Sequence, residues 1–550
     1  MNPLAFKKHR DFVSWCIPMM LSILSFSFLY GWSILNPKNN MWLEGGQNQD
    51  PMQAYLGWEF FRREPWSIPL GSNQSFGMLP SNSVVYSDSI PLLAIFFKLF
   101  RNYMGPNFQF FGVWLFVVVL LQICASWLLA GLLTKSLIIK TAFATLLLFS
   151  PILLWRTTTH LALSGHFLIL IALFLYFRGV KFSDFATARW FILLIVSLGV
   201  HGYLFLMIFL LFISDSIRAY MGKVLKPKEF GRIFILIIIA LVIIGKYFYG
   251  YSVGSPSNIK TAFWGVYGFN LLSIFNPSGW STIFNWLPTI YGGAETFTYL
   301  GVGAILLLFT ALAVIIRNCR KIKLRLDPYL PLFFAIVLLS AFAITNQVRI
   351  GRVKLDLPLS SFLVETFSMF RASARFIWPA IYLLTILILV LLLRQFKDKS
   401  VAIILSICAV LQVVDTRAGW QDIKSLYKIG QASELSPQSH LVYNAFRTNK
   451  YIRIMSLEGE LGPVGWATVG KIAYQNGLST NIAYLARRNE TEFQALQRKI
   501  KAELSSGALD ASTIYMLSGI NKEIREKLLL DNRHKILTID GLEFLFPYRS

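Results

Sequence analysis

The residues best suited to chemistry lie in one polar stretch, from Asn36 to Asp88, between the first two long hydrophobic runs. It carries Glu44, Asp50, Glu59, Glu64 and Asp88 among many Gly, Pro, Asn and aromatic residues. Carboxylates outside apolar runs are candidates for general acid–base work. Asp50 leads them. GGQNQ precedes it and Pro51 follows, which biases its backbone toward an extended or turning form. Near a membrane surface such a carboxylate can take the proton of a hydroxyl as that hydroxyl attacks a sugar carbon. The plainer readings are a solvated loop aspartate or a cap for a helix starting near Met52. Asp88, in YSDSIP, is a candidate for binding an acceptor or a metal, or for capping the helix begun by IPLL. Glu59 and Glu64 lie close to Arg62 and Arg63 and are expected to pair with them.

A second signal is FRASARFIW, with Arg371 and Arg375 just before an apolar run. At i and i+4 they would share one helix face. Two guanidinium forks suit a phosphate and could stabilise it as a leaving group. The alternative is snorkelling to lipid headgroups. His160 and His166 flank the turn RTTTHLALSGH. Six residues apart, they lack the spacing of a zinc-binding helix and read as polar cavity residues or turn stabilisers. His201 reads as a turn residue. Glycine-rich phosphate loops, serine elbows and paired histidine ligands are missing from the sequence.

The elements that must position these residues are set by composition. The chain has 550 residues, 55% of them hydrophobic, and a mean hydropathy of +0.56. Repeated long apolar runs make it an α-helical polytopic membrane protein. The net charge of +24 then reflects cytoplasmic loops rather than nucleic acid. The four cysteines Cys16, Cys124, Cys319 and Cys408 form no disulfide or zinc pattern.

Lys7, Lys8 and Arg10 place the N-terminus in the cytoplasm, before a retained first span at about 13–35. Further spans are expected near 107–131, 141–156, 166–177, 232–249, 299–316, 328–345, 376–393 and 400–414. The run 190–214 is expected to turn back at His201, as two short helices, because one long span would expose Arg218, Lys223, Lys226, Lys228 and Arg232 on the wrong face. This gives about eleven transmembrane helices in residues 1–415. An outer loop at 36–106 contains an interfacial helix at 90–100. Residues 416–550 read as an outer, C-terminal α/β domain, with strands in YIRIMSL, STIYMLS and EFLFPY and a helix in TEFQALQRKIKAEL.

These stretches together resemble the GT-C class of membrane glycosyltransferases. More closely, the chain is similar to a bacterial membrane family known only as a domain of unknown function. The matching segments are DPMQAYLGWEFFRREPWSIPLG, VVYSDSIPLLAIFFK, HLALSGHFLIL, FRASARFIWP and STNIAYLARR. The resemblance implies an inverting enzyme at the bacterial inner membrane with a periplasmic C-terminal domain. Its donor would be a polyprenyl-phosphate sugar and its acceptor an envelope glycan or glycolipid. It assigns Asp50 as base and Arg371 or Arg375 to the donor phosphate. Many class members carry adjacent acids or Asp-x-Asp in this loop, whereas Asp50 has Gln49 and Pro51 as neighbours. A divalent metal therefore stays an open reading. The competing functions are a lipid or polysaccharide transporter, which would need a polar route through the spans, and a non-catalytic envelope assembly protein.

Overall fold

The structure is a computed structural model. It describes residues 3–44, 50–77, 82–253, 264–284, 294–318, 327–428, 446, 449–455, 462–483, 485, 489–518, 520–539 and 542–548. The side chains of Lys7, Lys8 and Arg10, and the whole of Cys319, Arg320, Lys321, Lys323 and Arg325, lie outside the description, as does part of STNIAYLARR. The chain forms two compact units, 1–36, 110–241 and 260–428 in the first and 37–109, 242–259 and 429–550 in the second.

The first unit is a set of packed apolar helices. Among the described residues, six helices of the chain are long and apolar enough to cross a membrane, or seven if the bent pair Asp398–Asp415 and Arg417–Lys428 forms one span. Four shorter apolar helices accompany them. In this unit Phe111–Leu133 packs on Leu137–Leu148 and on Phe167–Phe182, and Asp398–Asp415 packs on both Leu137–Leu148 and Val302–Asn318. Gly303 allows the last of these contacts, since a Cβ there would overlap the carbonyl of Cys408. Two polar side chains in the last turn of Asp398–Asp415 are satisfied inside the unit. Gln412 Nε2 donates to Leu300 O at 2.8 Å and Asp415 accepts from Tyr299 Oη at 2.8 Å.

Two expectations change here. The 141–156 run is broken, because the helix Leu137–Leu148 stops before Pro151, which opens a separate turn Pro151–Arg156. The reversal at His201 is present, with extended backbone (φ −166°, ψ 136°) and helices Thr187–Val200 and Gly202–Met221 packed on each other. The second of them is not short. Asp215 and Arg218 pair at 2.6 Å, and Trp190 Nε1 donates to Asp215 at 2.8 Å, so the helix continues past residue 214 with its charges neutralised.

The second unit holds a five-stranded sheet in the order β4-β3-β5-β7-β6. The strands are β3 (Tyr451–Ile454), β4 (Ser479–Thr480), β5 (Thr513–Met516), β6 (His534–Ile539) and β7 (Leu542–Pro547). The two-stranded hairpin of the first unit supplies β1 (Gln347–Ile350) and β2 (Val353–Asp356). β3 is parallel to β4 and β5, while β7 is antiparallel to β5 and β6. The helix Glu490–Ser506 is capped by Asn489 and ends at Gly507 with φ +72°. Its Ile500 and Leu504 join Tyr515, Leu517, Leu528 and Leu545 in the core.

The polar segment 37–109 belongs to this same unit. Phe76 bridges to Thr480, and Arg63 stacks on the ring of Tyr474 at 3.4 Å. Arg62 Nη2 donates to Tyr474 Oη at 3.1 Å.

Candidate functional site

Within the first unit, three elements that are far apart in sequence meet at Glu295. Pro151–Arg156 brings Arg156, the bend that follows brings His160, and the 3₁₀ turn Ser373–Ile377 brings Arg375. Arg375 Nη2 lies 2.5 Å and Arg156 Nη1 3.4 Å from Glu295 Oε2. His160 Nε2 lies 3.2 Å from Oε1. The Arg156 and Arg375 side chains are 2% and 8% exposed, so these are ion pairs with little solvent screening. Burial works to raise the Glu295 carboxyl. Arg375, then Arg156 and His160, overcome it and hold the group well below the usual carboxylate range.

Aromatic rings frame the cations. Arg375 sits 5.0 Å over Tyr203, and Arg156 5.6 Å over Trp378. Trp378 also stacks with His166, ring centroids 4.3 Å apart. His166 is fully buried and its Nδ1 lies 2.8 Å from Tyr382 Oη. It is thus packed between Trp378 and Tyr382, while His160 touches the acid directly. His201 accepts from Tyr203 N at 3.1 Å, as a turn residue should.

Arg371 and Arg375 do not share a helix face. Arg371 precedes the 3₁₀ turn, is exposed, and lies 5.4 Å over Tyr267. The α-helix begins only at Trp378, with Pro379 in its first turn, so the i, i+4 rule does not apply upstream.

In the second unit, Asp50 opens the helix Asp50–Arg63. Its backbone is therefore helical, not extended. Pro51 falls in the first turn, where a missing N–H costs nothing and its fixed φ suits the helix. Asp50 sits at the positive end of the helix dipole. Ser89 Oγ donates to Ala54 O at 2.7 Å and Gln53 Nε2 to Tyr86 O at 3.3 Å, which brings the Asp88 turn to the same end. Asp88 is buried with φ +54°, a strained value for a non-glycine. It does not cap Pro91–Lys98, whose cap residue is Ile90 with no side-chain hydrogen bond.

Glu59 pairs with Arg62 at 3.3 Å, as expected, whereas Glu64 accepts from Ser75 N at 2.6 Å. Lys98 is buried under Phe61 and Trp66 and is pushed down to about 8 by burial. The side chain of Glu44 lies outside the described residues. Among the described residues no group of three or more His, Cys, Asp or Glu is placed to hold a metal ion.

Sequence reasoning missed Glu295 and Arg156. An acid in the apolar context GGAETFTYL, just before a hydrophobic run, was the available signal for the first. Arg156 was marked by its place in the histidine turn.

The chain is mostly helical with a small mixed sheet, and its long apolar helices are compatible with a multi-pass membrane protein. The chain belongs to the family described as domain of unknown function DUF6311, whose model matches residues 19–417. The DUF6311 C-terminal domain matches residues 444–547. The chain matches no curated protein and no solved structure.

Proposed function

We propose that this protein is a GT-C-type membrane glycosyltransferase of the bacterial inner membrane. It moves a sugar from a polyprenyl-phosphate donor to an envelope glycan or glycolipid acceptor on the periplasmic side, with its N-terminus in the cytoplasm. The observation that carries the reading is the Arg156–Glu295–Arg375 cluster. Two guanidinium groups oriented by one carboxylate leave a net positive, preset fork for a phosphate. Glu295 is held ionised and is therefore a poor base. Its role in this reading is to orient the arginines.

The base is assigned to Asp50, and acceptor contact to Asp88. In a single displacement the acceptor oxygen bonds to the anomeric carbon as the bond to the phosphate oxygen breaks. The hydroxyl proton goes to Asp50, polyprenyl phosphate leaves as the anion, and the anomeric centre inverts. Arg375, with Arg156 beside it on Glu295, is assigned to the leaving phosphate, and the exposed Arg371 is the second candidate that the sequence offers. Six helices among the described residues, or seven with the bent pair, are long and apolar enough to cross a membrane, which is compatible with a multi-pass architecture of the GT-C kind.

The test is release of polyprenyl phosphate from a panel of radiolabelled polyprenyl-phosphate monosaccharides by the purified protein in nanodiscs with envelope extract. Wild type is expected to turn over one donor, and Asp50→Asn to fold yet lose about 10²–10⁴-fold. Near-normal turnover by Asp50→Asn removes that residue as the base. Absence of release with every donor removes the transferase reading.

A further inference from the structure

The β1–β2 hairpin has one apolar face that is largely exposed among the described residues. In its antiparallel register Ile350 faces Val353, Val348 faces Leu355, Arg349 faces Lys354 and Gln347 faces Asp356. Opposed residues share a side of the ribbon, so the pairs alternate apolar and polar. Ile350, Val353 and Leu355 are 48%, 68% and 58% exposed. The exposed apolar run continues through Leu357 to Phe362 in the short helix Ser361–Phe367.

The other side of the ribbon is tied down. Arg349 donates to Val266 O, and Asn270 Nδ2 donates to Gly351 O at 2.7 Å while its Oδ1 accepts from Gly351 N at 2.9 Å. Lys354 pairs with Asp356 at 2.9 Å.

A two-stranded ribbon with a bare apolar face is marginal in water and prone to edge pairing. Its place in the chain says what covers it. The hairpin starts three residues after Ile344, the end of a helix long and apolar enough to cross a membrane. The chain returns through Ser361–Phe367 to Ser373–Gln395, a second helix of that kind. A segment strung between two such ends lies at a bilayer surface. Basic Arg352 and Lys354 with Asp356 accompany the apolar residues, the amphipathic pattern of an interfacial element.

We propose that the β1–β2 hairpin seats its Ile350–Val353–Leu355 face in the acyl–headgroup boundary of the lipid bilayer. The hairpin then moors to the membrane the strap that carries Val266 and Tyr267. Tyr267 O accepts from Ala374 N at 3.0 Å, next to Arg375. The seated hairpin thereby fixes the arginine cluster relative to the bilayer surface. The inference rests on the membrane reading of the helices and not on sugar transfer, so it can fail while that activity stands, and the reverse.

The test is nitroxide labelling of Val353→Cys, Leu355→Cys and Lys354→Cys in a background with the four native cysteines replaced. The protein is reconstituted in vesicles of phosphatidylcholine and phosphatidylglycerol. Collision with oxygen and with a water-soluble nickel chelate is then read by electron paramagnetic resonance. Labels at 353 and 355 are expected to favour oxygen over nickel several-fold more than the label at 354. Equal nickel access at all three positions overturns the proposal. So does shielding of 353 and 355 from both reagents, which would mean that protein covers this face. In the chain with its native cysteines, benzoylphenylalanine at position 353 gives a second reading. Photocrosslinks to lipid support the seat, and crosslinks to protein alone refute it.

Discussion

Glu295 in the first unit touches Arg375, Arg156 and His160. Glu59 in the second unit is fully buried with Arg62 at 3.3 Å, and among the described residues neither of its oxygens has a partner in good hydrogen-bond geometry. Both acids are pressed against arginine, yet their charge states diverge. Burial pushes Glu59 up to about 8, and Arg62 and Arg63 only partly counter it. At Glu295 the same burial is outweighed by two arginines and a histidine bond. Guanidinium groups nearby without good hydrogen-bond geometry do not make up for lost water, whereas a set of convergent donors does. Convergent cations thus favour the anion at Glu295, and burial favours the neutral acid at Glu59.

The sharpest way to break this contrast is to delete each acid. Glu295→Ala leaves Arg156 and Arg375 close together without their shared anion. It should cost about 3–5 kcal/mol of stability, read by thermal unfolding in detergent. A cost near zero would mean that the cluster is not formed.

The second prediction concerns pH. Glu59 has a raised folded value, so between about 4.5 and about 8 the folded state holds a proton that the unfolded state has released. Stability from this group is full below about 4.5 and falls as pH rises toward 8. Glu59→Gln should flatten that alkaline decline. Glu295 works in the opposite sense, since its contribution is present above its ordinary value and is lost as pH falls through its lowered folded value. Infrared difference spectra at neutral pH should show a protonated carboxyl band that vanishes in Glu59→Gln and persists in Glu295→Gln.

Smaller effects test the supports of each site. A Cβ on Gly57 would overlap Ser87 Oγ and Ser89 Oγ, so Gly57→Ala should cost about 1–3 kcal/mol and loosen the Asp88 turn from the Asp50 helix. His166→Phe keeps a ring against Trp378 but loses the bond to Tyr382, an expected loss of about 1 kcal/mol. Both are measurable by denaturant unfolding of the detergent-solubilised protein.

Apolar runs made the helix positions legible, because burial of whole side chains sets them locally. The reversal at His201 was legible from charge alone, since five basic residues follow it. The strands at Tyr451, Thr513 and Leu542 and the helix after Asn489 were also readable from pattern. Asp50 was misread locally, because Pro51 disfavours a helix before it but fits a helix that starts there. Arg375 and His160 were singled out in the sequence, but their meeting with Arg156 at Glu295 could not be read. Arg156 and Arg375 each lie 80 or more residues from Glu295, and no local pattern encodes that meeting. The grouping of 37–109 with the C-terminal sheet was hidden for the same reason. It depends on contacts such as Arg62 to Tyr474, separated by 412 residues.

The measurement closest to the central claim is a deletion in the native host, complemented with wild type, Arg375→Ala or Asp50→Asn, followed by mass spectrometry of envelope glycolipids and polysaccharides. The account predicts that one sugar unit disappears on deletion and that only wild type restores it. Unchanged glycans, or whole polymers accumulating on the cytoplasmic side, would contradict it.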